Sequence, residues 1–261
     1  MAGLSLLSLE GKRALVTGGG IGLGRHMALG LAEAGADLIL CGRRGALLEK
    51  AASEARRFGS TVIAVEADMT VEADLQRLLA DAGPVDILFN NAGGGLLRPW
   101  DRITREEWQS VMALNVDAVW RLCQLFAPPM IERRWGRIIN ISSIYGLISG
   151  DPNRYPKEMD WDNPAYVVGK HAVQGITHYL GTRLAQYGVT VNSLCPGMFP
   201  SEQEVAPPRE AGWDRRLTEN TPAKRLGRFE DLKAAAVFLA SPGAAFVSGQ
   251  SIVVDGGWTV W

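Results

Sequence analysis

The sequence predicts an α/β fold in which a doubly wound parallel β-sheet is covered by helices on both faces. Short, β-rich apolar runs alternate along the 261 residues with segments of helical periodicity. Strands that are apolar at every position are typical of a parallel sheet buried on both faces. No Pro- or Ser-rich linker divides the chain, so we expect residues 1–261 to form a single domain.

Taken in order, the predicted elements form successive strand and helix steps. The predicted strands are RALVTG, DLILC, TVIAVEA, VDILFNNAG, GRIINIS, VTVNSLCPG and SIVVDGG. The predicted helices cover residues 22–34, 44–58, 71–81, a long segment that ends near 133, and 164–187. Because helices separate the strands, neighbouring strands are expected to run parallel.

Two of these helices, around 108–126 and 165–184, are apolar on more than one face. A helix that is apolar on most sides must be buried on most sides, and a sheet can cover only one of them. We therefore expect a subunit interface that makes a homodimer or homotetramer. An unusually thick core is the alternative interpretation.

Composition excludes several classes of partner. The formal net charge is −1 and the basic residues are scattered, which argues against a nucleic-acid or anionic-membrane surface. Cys41, Cys123 and Cys195 lie in apolar runs without a CxxC pair, and this favours buried free thiols in a reducing cytosol over a metal site or a disulfide. His26, His171 and His178 show no ligand spacing either, so none of them is assigned to a metal or to catalysis. With no basic leader and no run long enough to span a bilayer, we expect a cytoplasmic protein.

A glycine cluster, TGGGIGLG, follows the first strand and opens the first helix. Glycine permits the tight turn from Thr17 onwards and lets backbone N–H groups approach a pyrophosphate, while the helix N-terminus adds a partial positive charge. This position favours a dinucleotide site of the Rossmann type over a simple turn.

The spacing TGxxxGxG resembles that of the short-chain dehydrogenase/reductase family. Further segments extend the resemblance over nearly the full chain: NNAG at 90–93, Asn115 in ALNV, Ser143 in NISS, YxxxK at 166–170, PGMFPS at 196–201 and the stretch 225–258. Together, in this order and on these elements, they are very specific.

The YxxxK pair suits proton transfer. Tyrosine has an ordinary pKa near 10, and a nearby ammonium lowers that pKa by stabilising the phenolate. Residues four apart share a helix face, so we expect Lys170 to act on Tyr166. Tyr179 has Arg183 at the same offset, but it lies deep in the helix on a stretch expected to pack against another element. Tyr166 follows Pro164 at the helix start, on the ligand-binding side of such sheets, and is preferred.

The resemblance assigns a role to each catalytic candidate. It implies that Ser143 stabilises the developing oxyanion, that Tyr166 is the general acid or base, and that Lys170 also holds the nicotinamide ribose. Asn115 is implied to anchor a water-linked proton relay. Without the resemblance, Ser143 would be interpreted as a turn former or cap, and Asn115 as a structural amide.

The cofactor is expected to be NADP, with NAD as the alternative. An acid at the end of the second strand would bind a ribose 2′-hydroxyl, but here Gly42 takes that place and Arg43 and Arg44 follow, which suits a 2′-phosphate. A solvated helix face is the other interpretation of these arginines, and Asp68 is either an adenine contact or a helix N-cap. The expected cofactor contacts are Gly18, Gly20, Ile21, Gly22, Gly24, Arg43, Arg44, Asp68, Met69, Asn91, Ala92, Gly93, Tyr166, Lys170, Pro196, Gly197 and Ser201.

An insert of unusual length, 149–164, separates Ser143 from Tyr166. Its prolines disfavour a helix, and a loop that joins these two residues must form one wall of the substrate pocket. That wall offers Arg154, Glu158, Asp160 and Trp161, and the segment 201–224 is expected to form a mobile lid. Within the family, the insert resembles sugar and sugar-acid dehydrogenases such as gluconate 5-dehydrogenase.

The resemblance thus implies an NADP-dependent oxidoreductase of a small-molecule secondary alcohol or ketone, of a sugar acid, sugar or polyol. A reductase of 3-oxoacyl thioesters is the enzymatic alternative, although no basic landing patch for a carrier protein is evident. A non-catalytic dinucleotide sensor or scaffold is the alternative of another class. The complete set of Asn115, Ser143, Tyr166 and Lys170 argues against it.

Overall fold

A computed structural model describes residues 5–155, 162–200 and 213–261. Seven strands form one sheet in the order β3-β2-β1-β4-β5-β6-β7, and every neighbouring pair is parallel. The strands are β1 (Arg13–Thr17), β2 (Asp37–Gly42), β3 (Val62–Glu66), β4 (Ile87–Asn90), β5 (Gly136–Ile141), β6 (Val189–Pro196) and β7 (Ser251–Val254). The predicted doubly wound parallel sheet is confirmed.

Helices cover both faces of this sheet. They are α1 (Gly22–Glu33), α2 (Gly45–Arg56), α3 (Glu72–Ala82), α4 (Arg105–Met112), α5 (Ala118–Glu132), α6 (Pro164–Leu184), α7 (Trp213–Asn220) and α8 (Phe229–Ala240). Among the described residues, none of these helices combines the length and the apolarity needed to cross a bilayer.

Two buried apolar clusters lie on opposite faces of the sheet. One is formed with α1, α2 and α8 and includes Leu31 and Leu232; the other is formed with α3, α5 and α6 and includes Leu78 and Phe126. Each fully buried side chain of this size contributes about 1.5–3 kcal/mol to folding. The continuous apolarity of the strands is therefore explained by burial on both faces.

The predicted long helix near the middle of the chain is interrupted, and this corrects the sequence-based expectation. A five-residue π-helical segment, Ala113–Asp117, lies between α4 and α5. Asn115 is at its centre and donates from Nδ2 to the carbonyl oxygens of Val111 and Gly94, each at 2.8 Å. A π-helical turn widens the backbone and is found frequently at functional sites. The sequence pattern gave no sign of it because the apolar positions continue through it.

A third cluster joins three segments that are distant in sequence. It comprises Ile144, Tyr145, Tyr155, Trp213, Leu217 and Trp258, and Tyr166 packs against it. The start of the insert therefore packs on α7 and on the C-terminal segment. Within the insert, Pro152–Arg154 forms a single 3₁₀ turn. Of the predicted lid, only the part from 213 onwards lies within the described residues; Glu158, Asp160, Trp161 and Ser201 lie outside them.

The carboxyl ends of the strands bring the predicted site residues to one edge. Strand order reverses between β1 and β4, so a crevice opens beyond Thr17 and Asn90, as expected for an open α/β sheet. In β5, Asn140 pairs with Asn90 of β4 on one side and with Ser193 of β6 on the other. Ser143 follows β5 at this same edge, two residues beyond the strand's last residue, Ile141.

Candidate active site

A cavity of about 390 Å³ lies in this crevice. Of the predicted catalytic and cofactor residues within the described part of the chain, all except Gly22 and Asn115 line it. The lining residues that we predicted are Gly18, Gly20, Ile21, Gly24, Arg43, Arg44, Asp68, Met69, Asn91, Ala92, Gly93, Ser143, Tyr166, Lys170, Pro196 and Gly197. The cavity therefore joins the glycine turn at one end to Tyr166 at the other.

The glycine turn needs its glycines for two reasons. Gly18 and Gly22 have φ angles of 64° and 57°, in the left-handed region that favours glycine. At Gly24, a Cβ atom would collide with Nδ2 of Asn91 and with the carbonyl oxygen of Gly18. The turn is thus held close to the loop after β4, and α1 begins at Gly22 with its N-terminus beside the cavity.

Thr17 fixes the loop after β4 to the end of β1. Its Oγ1 accepts hydrogen bonds from the backbone N–H groups of Asn91 and Ala92, each at 2.9 Å, and donates to the carbonyl oxygen of Phe89 at 3.2 Å. Asn91 in turn donates from Nδ2 to the Thr17 carbonyl oxygen at 2.8 Å. The NNAG segment is therefore a rigid wall of the cavity.

Next to the glycine turn, Gly42 leaves room beside two arginines, Arg43 and Arg44. The side chain of Arg43 is 74% exposed, and its Nη1 lies 4.0 Å from Oδ2 of Asp68. Hydrogen bonds from the backbone and side chain of Thr70 lower the pKa of Asp68, so this carboxylate is charged at neutral pH. The N-cap of α3 is Val71, so the helix N-cap interpretation of Asp68 is wrong: the carboxylate instead stabilises the turn that precedes the helix.

Ser143, Tyr166 and Lys170 meet at the other end because β5 and α6 pack side by side. Ser143 Oγ accepts a hydrogen bond from Tyr145 N at 3.1 Å and caps the 3₁₀ turn Ile144–Gly146, so the serine is also the cap that its position suggests. Tyr166 lies in the first turn of α6, after Pro164, as predicted. Lys170 Nζ lies 5.4 Å from the centroid of the Tyr166 ring.

The electrostatics of this pair differ from the prediction. Burial raises the pKa of Tyr166 above its ordinary value, and a hydrogen-bonding interaction with Ser143 only partly opposes this. Burial also lowers the pKa of Lys170 to about 8. The expected depression of the Tyr166 pKa is therefore not found, because burial of the phenol, which disfavours the phenolate, is the largest contribution.

The two side-chain polar atoms of Asn115 differ in their hydrogen bonding. Its Nδ2 atom is fully engaged, but no partner for Oδ1 exists among the described residues. A Cβ atom at Gly93 would lie 2.8 Å from this Oδ1 and 3.2 Å from Lys170 Nζ. Since buried polar atoms are almost always satisfied, the space beside Gly93 suits a polar group or a water that bridges Asn115 and Lys170.

Sequence reasoning missed several residues that line the cavity. They are Leu23, Gly42 as a lining residue, Leu47, Leu48, Ala67, Gly94, Leu114, Ile141 and Ser142. Most are apolar residues whose position follows only from packing. Ser142 was detectable as the neighbour of Ser143, but its contacts depend on the register between β5 and α6.

Tyr179 does not reach the cavity. Its side chain is 53% exposed and lies over Arg183, with the guanidinium carbon 5.3 Å from the ring centroid. The stretch that carries Tyr179 was expected to pack against another element, and the Tyr179 ring makes a tilted contact with the Trp120 ring of α5 at 6.3 Å. The preference for Tyr166 over Tyr179 agrees with these positions.

The three cysteines are buried and free. Burial raises the pKa of each thiol, so all three are protonated at neutral pH. Among the residues that the structure describes, no group of His, Cys, Asp and Glu is arranged to hold a metal ion.

Comparisons with known proteins agree with this geometry. A family model described as enoyl-(acyl carrier protein) reductase matches residues 19–259. Gluconate 5-dehydrogenase of Gluconobacter oxydans (strain 621H) is 37% identical over 98% of this chain and 97% of its own length. The 2-dehydro-3-deoxy-D-gluconate 5-dehydrogenase of Dickeya dadantii (strain 3937) is 36% identical over 98% of both chains.

A solved structure agrees as well. The crystal structure of a gluconate 5-dehydrogenase from Burkholderia cenocepacia J2315, in complex with NADP and tartrate, matches with a TM-score of 0.86 and 36% identity over 99% of both chains. The chain is therefore an oxidoreductase that belongs to the short-chain dehydrogenase/reductase family.

Proposed function

We propose that this enzyme interconverts a secondary alcohol and a ketone on a sugar acid or a related polyol, with NADP as its preferred cofactor. The observation that carries the proposal is the meeting of Ser143, Tyr166 and Lys170 at one end of the same cavity whose other end is the glycine turn. A binding protein would need the glycine turn but not a buried amine and a buried phenol beside it.

The cavity fits a dinucleotide on two counts. Gly18 and Gly24 leave the space that side chains would fill, so backbone N–H groups at the start of α1 can bind a pyrophosphate. Arg43 is largely exposed, and its one ion-pair partner among the described residues, Asp68, is at the limit of pairing distance, so its guanidinium is available to a 2′-phosphate. When bound, the nicotinamide donates or accepts a hydride. Asn91, Ala92, Gly93, Pro196 and Gly197 also line the cavity and would hold this ring.

Proton transfer is assigned to the chain's own groups. The Tyr166 hydroxyl donates a proton to the carbonyl oxygen in reduction and removes one from the alcohol in oxidation. Ser143 donates a hydrogen bond to the same oxygen and stabilises its developing charge. Because burial keeps Tyr166 protonated, the free enzyme is suited to the acid role, and the charged form of Lys170 is needed to stabilise a phenolate.

Asn115 and Lys170 support a proton relay. The unsatisfied Oδ1 of Asn115 and the Lys170 amine flank the same space beside Gly93. A water held between them would carry protons between Lys170 and the solvent. The π-helical segment around Asn115 turns its amide toward Gly94 and so keeps this space open.

The substrate class is supported by the named relatives and by the pocket wall. Those relatives act on gluconate and on 2-dehydro-3-deoxy-D-gluconate. In the present chain, Asp162 connects the end of the insert to the segment after the NNAG loop: its Oδ2 accepts from Trp100 N at 2.6 Å, and its carbonyl oxygen accepts from Arg98 N at 2.9 Å. These contacts support a polar wall built from the insert beside Tyr166.

We further propose a homodimer or homotetramer that forms through α5 and α6, in the cytoplasm, with 1–261 as one catalytic domain. Trp120, Val168 and Tyr179 are 38%, 45% and 53% exposed on these two helices. Large apolar side chains that are exposed on these two helices favour a contact with a second subunit. The buried free thiols suit a reducing compartment.

The test is a substrate panel followed through the absorbance of the reduced cofactor. Gluconate, its keto acids, polyols and 3-oxoacyl thioesters are each offered with NADP and with NAD in the appropriate redox form. We expect turnover of a sugar acid or polyol, faster with NADP. Turnover of thioesters alone would replace the substrate assignment, and tight nucleotide binding without any turnover would indicate a sensor.

A further inference from the structure

Behind Lys170, a buried network of polar side chains takes no part in the mechanism given above. Gln174, one turn after Lys170 on α6, faces the sheet and is buried. A helix residue that packs on a sheet in this way is usually apolar, because an amide must find a partner for each donor and acceptor that it loses to water. Gln174 finds four partners, on β6, on β7 and just after β5.

The hydrogen bonds of Gln174 use both ends of its amide. Oε1 accepts from the hydroxyls of Ser193 at 2.6 Å and Ser251 at 2.9 Å. Nε2 donates to Ser142 Oγ at 3.2 Å and to Cys195 Sγ at 3.1 Å. The amide is therefore fully satisfied, with two donors and two acceptor positions in use.

The orientation of the amide is fixed by Lys170. Ser142 Oγ donates its only hydrogen to the carbonyl oxygen of Lys170 at 3.0 Å. Its remaining interaction with Gln174 must therefore be as an acceptor, which requires the NH₂ group of Gln174 and excludes the flipped amide. The order of donation runs from Ser193 and Ser251 to Gln174, then to Ser142, and ends at the backbone of Lys170.

Close packing around this chain of bonds keeps it in place. A Cβ atom at Gly146 would collide with Ser142 Oγ and would lie 2.6 Å from the Lys170 carbonyl oxygen. Ser142 itself is held by its backbone N–H, which donates to the Leu194 carbonyl oxygen at 2.9 Å. Hydrogen bonds through Ser142 therefore connect α6 to the end of β5 beside Lys170.

We infer that Gln174 is a positioning residue for this reaction: through Ser142 it fixes α6 against the end of β5, and so sets the placement of Tyr166 and Lys170 relative to Ser143. The inference rests on the proposed function. The physical reason is that Ser143 follows β5, whereas Tyr166 and Lys170 lie on α6. A shift of α6 relative to β5 therefore changes the distances between these side chains. Small shifts between a proton donor and its acceptor cost rate much more than they cost stability.

A second buried hydrogen bond between α6 and the sheet, at Thr177, supplies a matched control. Thr177 lies one turn after Gln174, is fully buried, and accepts from Asn140 Nδ2 at 2.9 Å. Thr177 does not line the cavity. Thr177→Val therefore removes a comparable buried hydrogen bond from the same helix without touching the chain of bonds that ends at Lys170.

The experiment compares Gln174→Met, Ser142→Ala, the double variant and Thr177→Val. With the best substrate of the panel, we expect Gln174→Met and Ser142→Ala each to lower kcat about tenfold, as the loss of one buried hydrogen bond allows, with KM changed less than about twofold. If Gln174 acts through Ser142, the double variant loses no more than either single variant. Thr177→Val is expected to lower the melting temperature by a similar amount with kcat unchanged.

Three results would overturn the inference: an unchanged kcat in Gln174→Met, losses that multiply in the double variant, or an equal loss of kcat in Thr177→Val. If Gln174→Met fails to fold, the Ser142→Ala variant alone tests the inference. An unchanged kcat in Ser142→Ala would then show that the hydrogen bonds through Ser142 do not position the catalytic residues. A wild-type enzyme that is silent on every substrate refutes the proposed function instead.

The inference also has a readout that needs no turnover. Lysine side-chain NMR of selectively labelled protein follows the titration of Lys170, which Tyr166 and Cys195 adjoin. A looser contact between α6 and β5 admits water to the amine, so in Gln174→Met we expect the pKa of Lys170 to rise from about 8 toward its ordinary value. An unmoved midpoint in that variant would show that Gln174 does not control the surroundings of Lys170.

Discussion

Lys170 Nζ donates a hydrogen bond of 2.8 Å to the carbonyl oxygen of Ile141, the last residue of β5. The amine is buried, and it also lies 5.4 Å from the centroid of the Tyr166 ring. Lys170 is thus fixed to the same strand that leads into Ser143. The catalytic lysine is therefore a structural link between α6 and β5 as well as a source of charge.

The first prediction concerns the phenol of Tyr166. Tyr166→Phe removes the proposed acid and base, so we expect kcat to fall at least about a hundredfold, the usual contribution of a positioned general acid. Binding of NADPH, measured by fluorescence titration, is expected to change less than about threefold. Tyr179→Phe is the matched control, because Tyr179 has a cation at the same spacing but lies outside the cavity. Near-normal turnover in Tyr166→Phe would refute the assignment.

The second prediction uses the space beside Gly93. In Gly93→Ala, the new methyl group would come within 2.8 Å of Asn115 Oδ1 and 3.2 Å of Lys170 Nζ. We expect it to exclude a bridging water and to lower kcat about ten- to a hundredfold, measured at saturating substrate. Gly94→Ala is the control, since a Cβ there meets nothing within 4 Å. Equal effects of the two substitutions would show that the space beside Gly93 has no special role.

The third prediction tests the cofactor preference. Arg43→Ala removes the guanidinium that is proposed to bind a 2′-phosphate. We expect kcat/KM for NADP to fall about tenfold and that for NAD to change less than twofold, because charge-assisted hydrogen bonds are the stronger class. Arg57→Ala, at the opposite end of α2, controls for the loss of one positive charge. If the ratio of kcat/KM for NADP to kcat/KM for NAD is unchanged, Arg43 is only a solvated residue at the start of the helix and does not bind the 2′-phosphate.

The sequence allowed the order of the elements and most of the cavity lining to be predicted, since both follow from local patterns. The glycine turn, the YxxxK pair and the arginines after β2 each depend on spacing within a few residues. The π-helical segment at Asn115, the bond from Lys170 to Ile141 and the network around Gln174 depend instead on the register between elements distant in sequence. The direction of the Tyr166 pKa was wrongly predicted for a related reason: the largest contribution is burial, which depends on the whole fold and not on the spacing to Lys170.

The last prediction follows from the lowered pKa of Lys170. In the unfolded chain a lysine titrates near 10.5, whereas burial lowers the pKa of Lys170 to about 8 in the folded protein. Between these values the unfolded state binds a proton that the folded state does not, so the contribution of Lys170 to stability rises with pH, by about 3 kcal/mol in total. Urea unfolding of the wild type and of Lys170→Met from about pH 7 to 10 measures it, because buried groups that do not adjoin Lys170, such as Cys41 and Cys123, titrate alike in both proteins. We expect the wild type to gain stability relative to the variant above pH 8. If the free energies of unfolding of the two proteins instead change in parallel with pH, the amine is not desolvated.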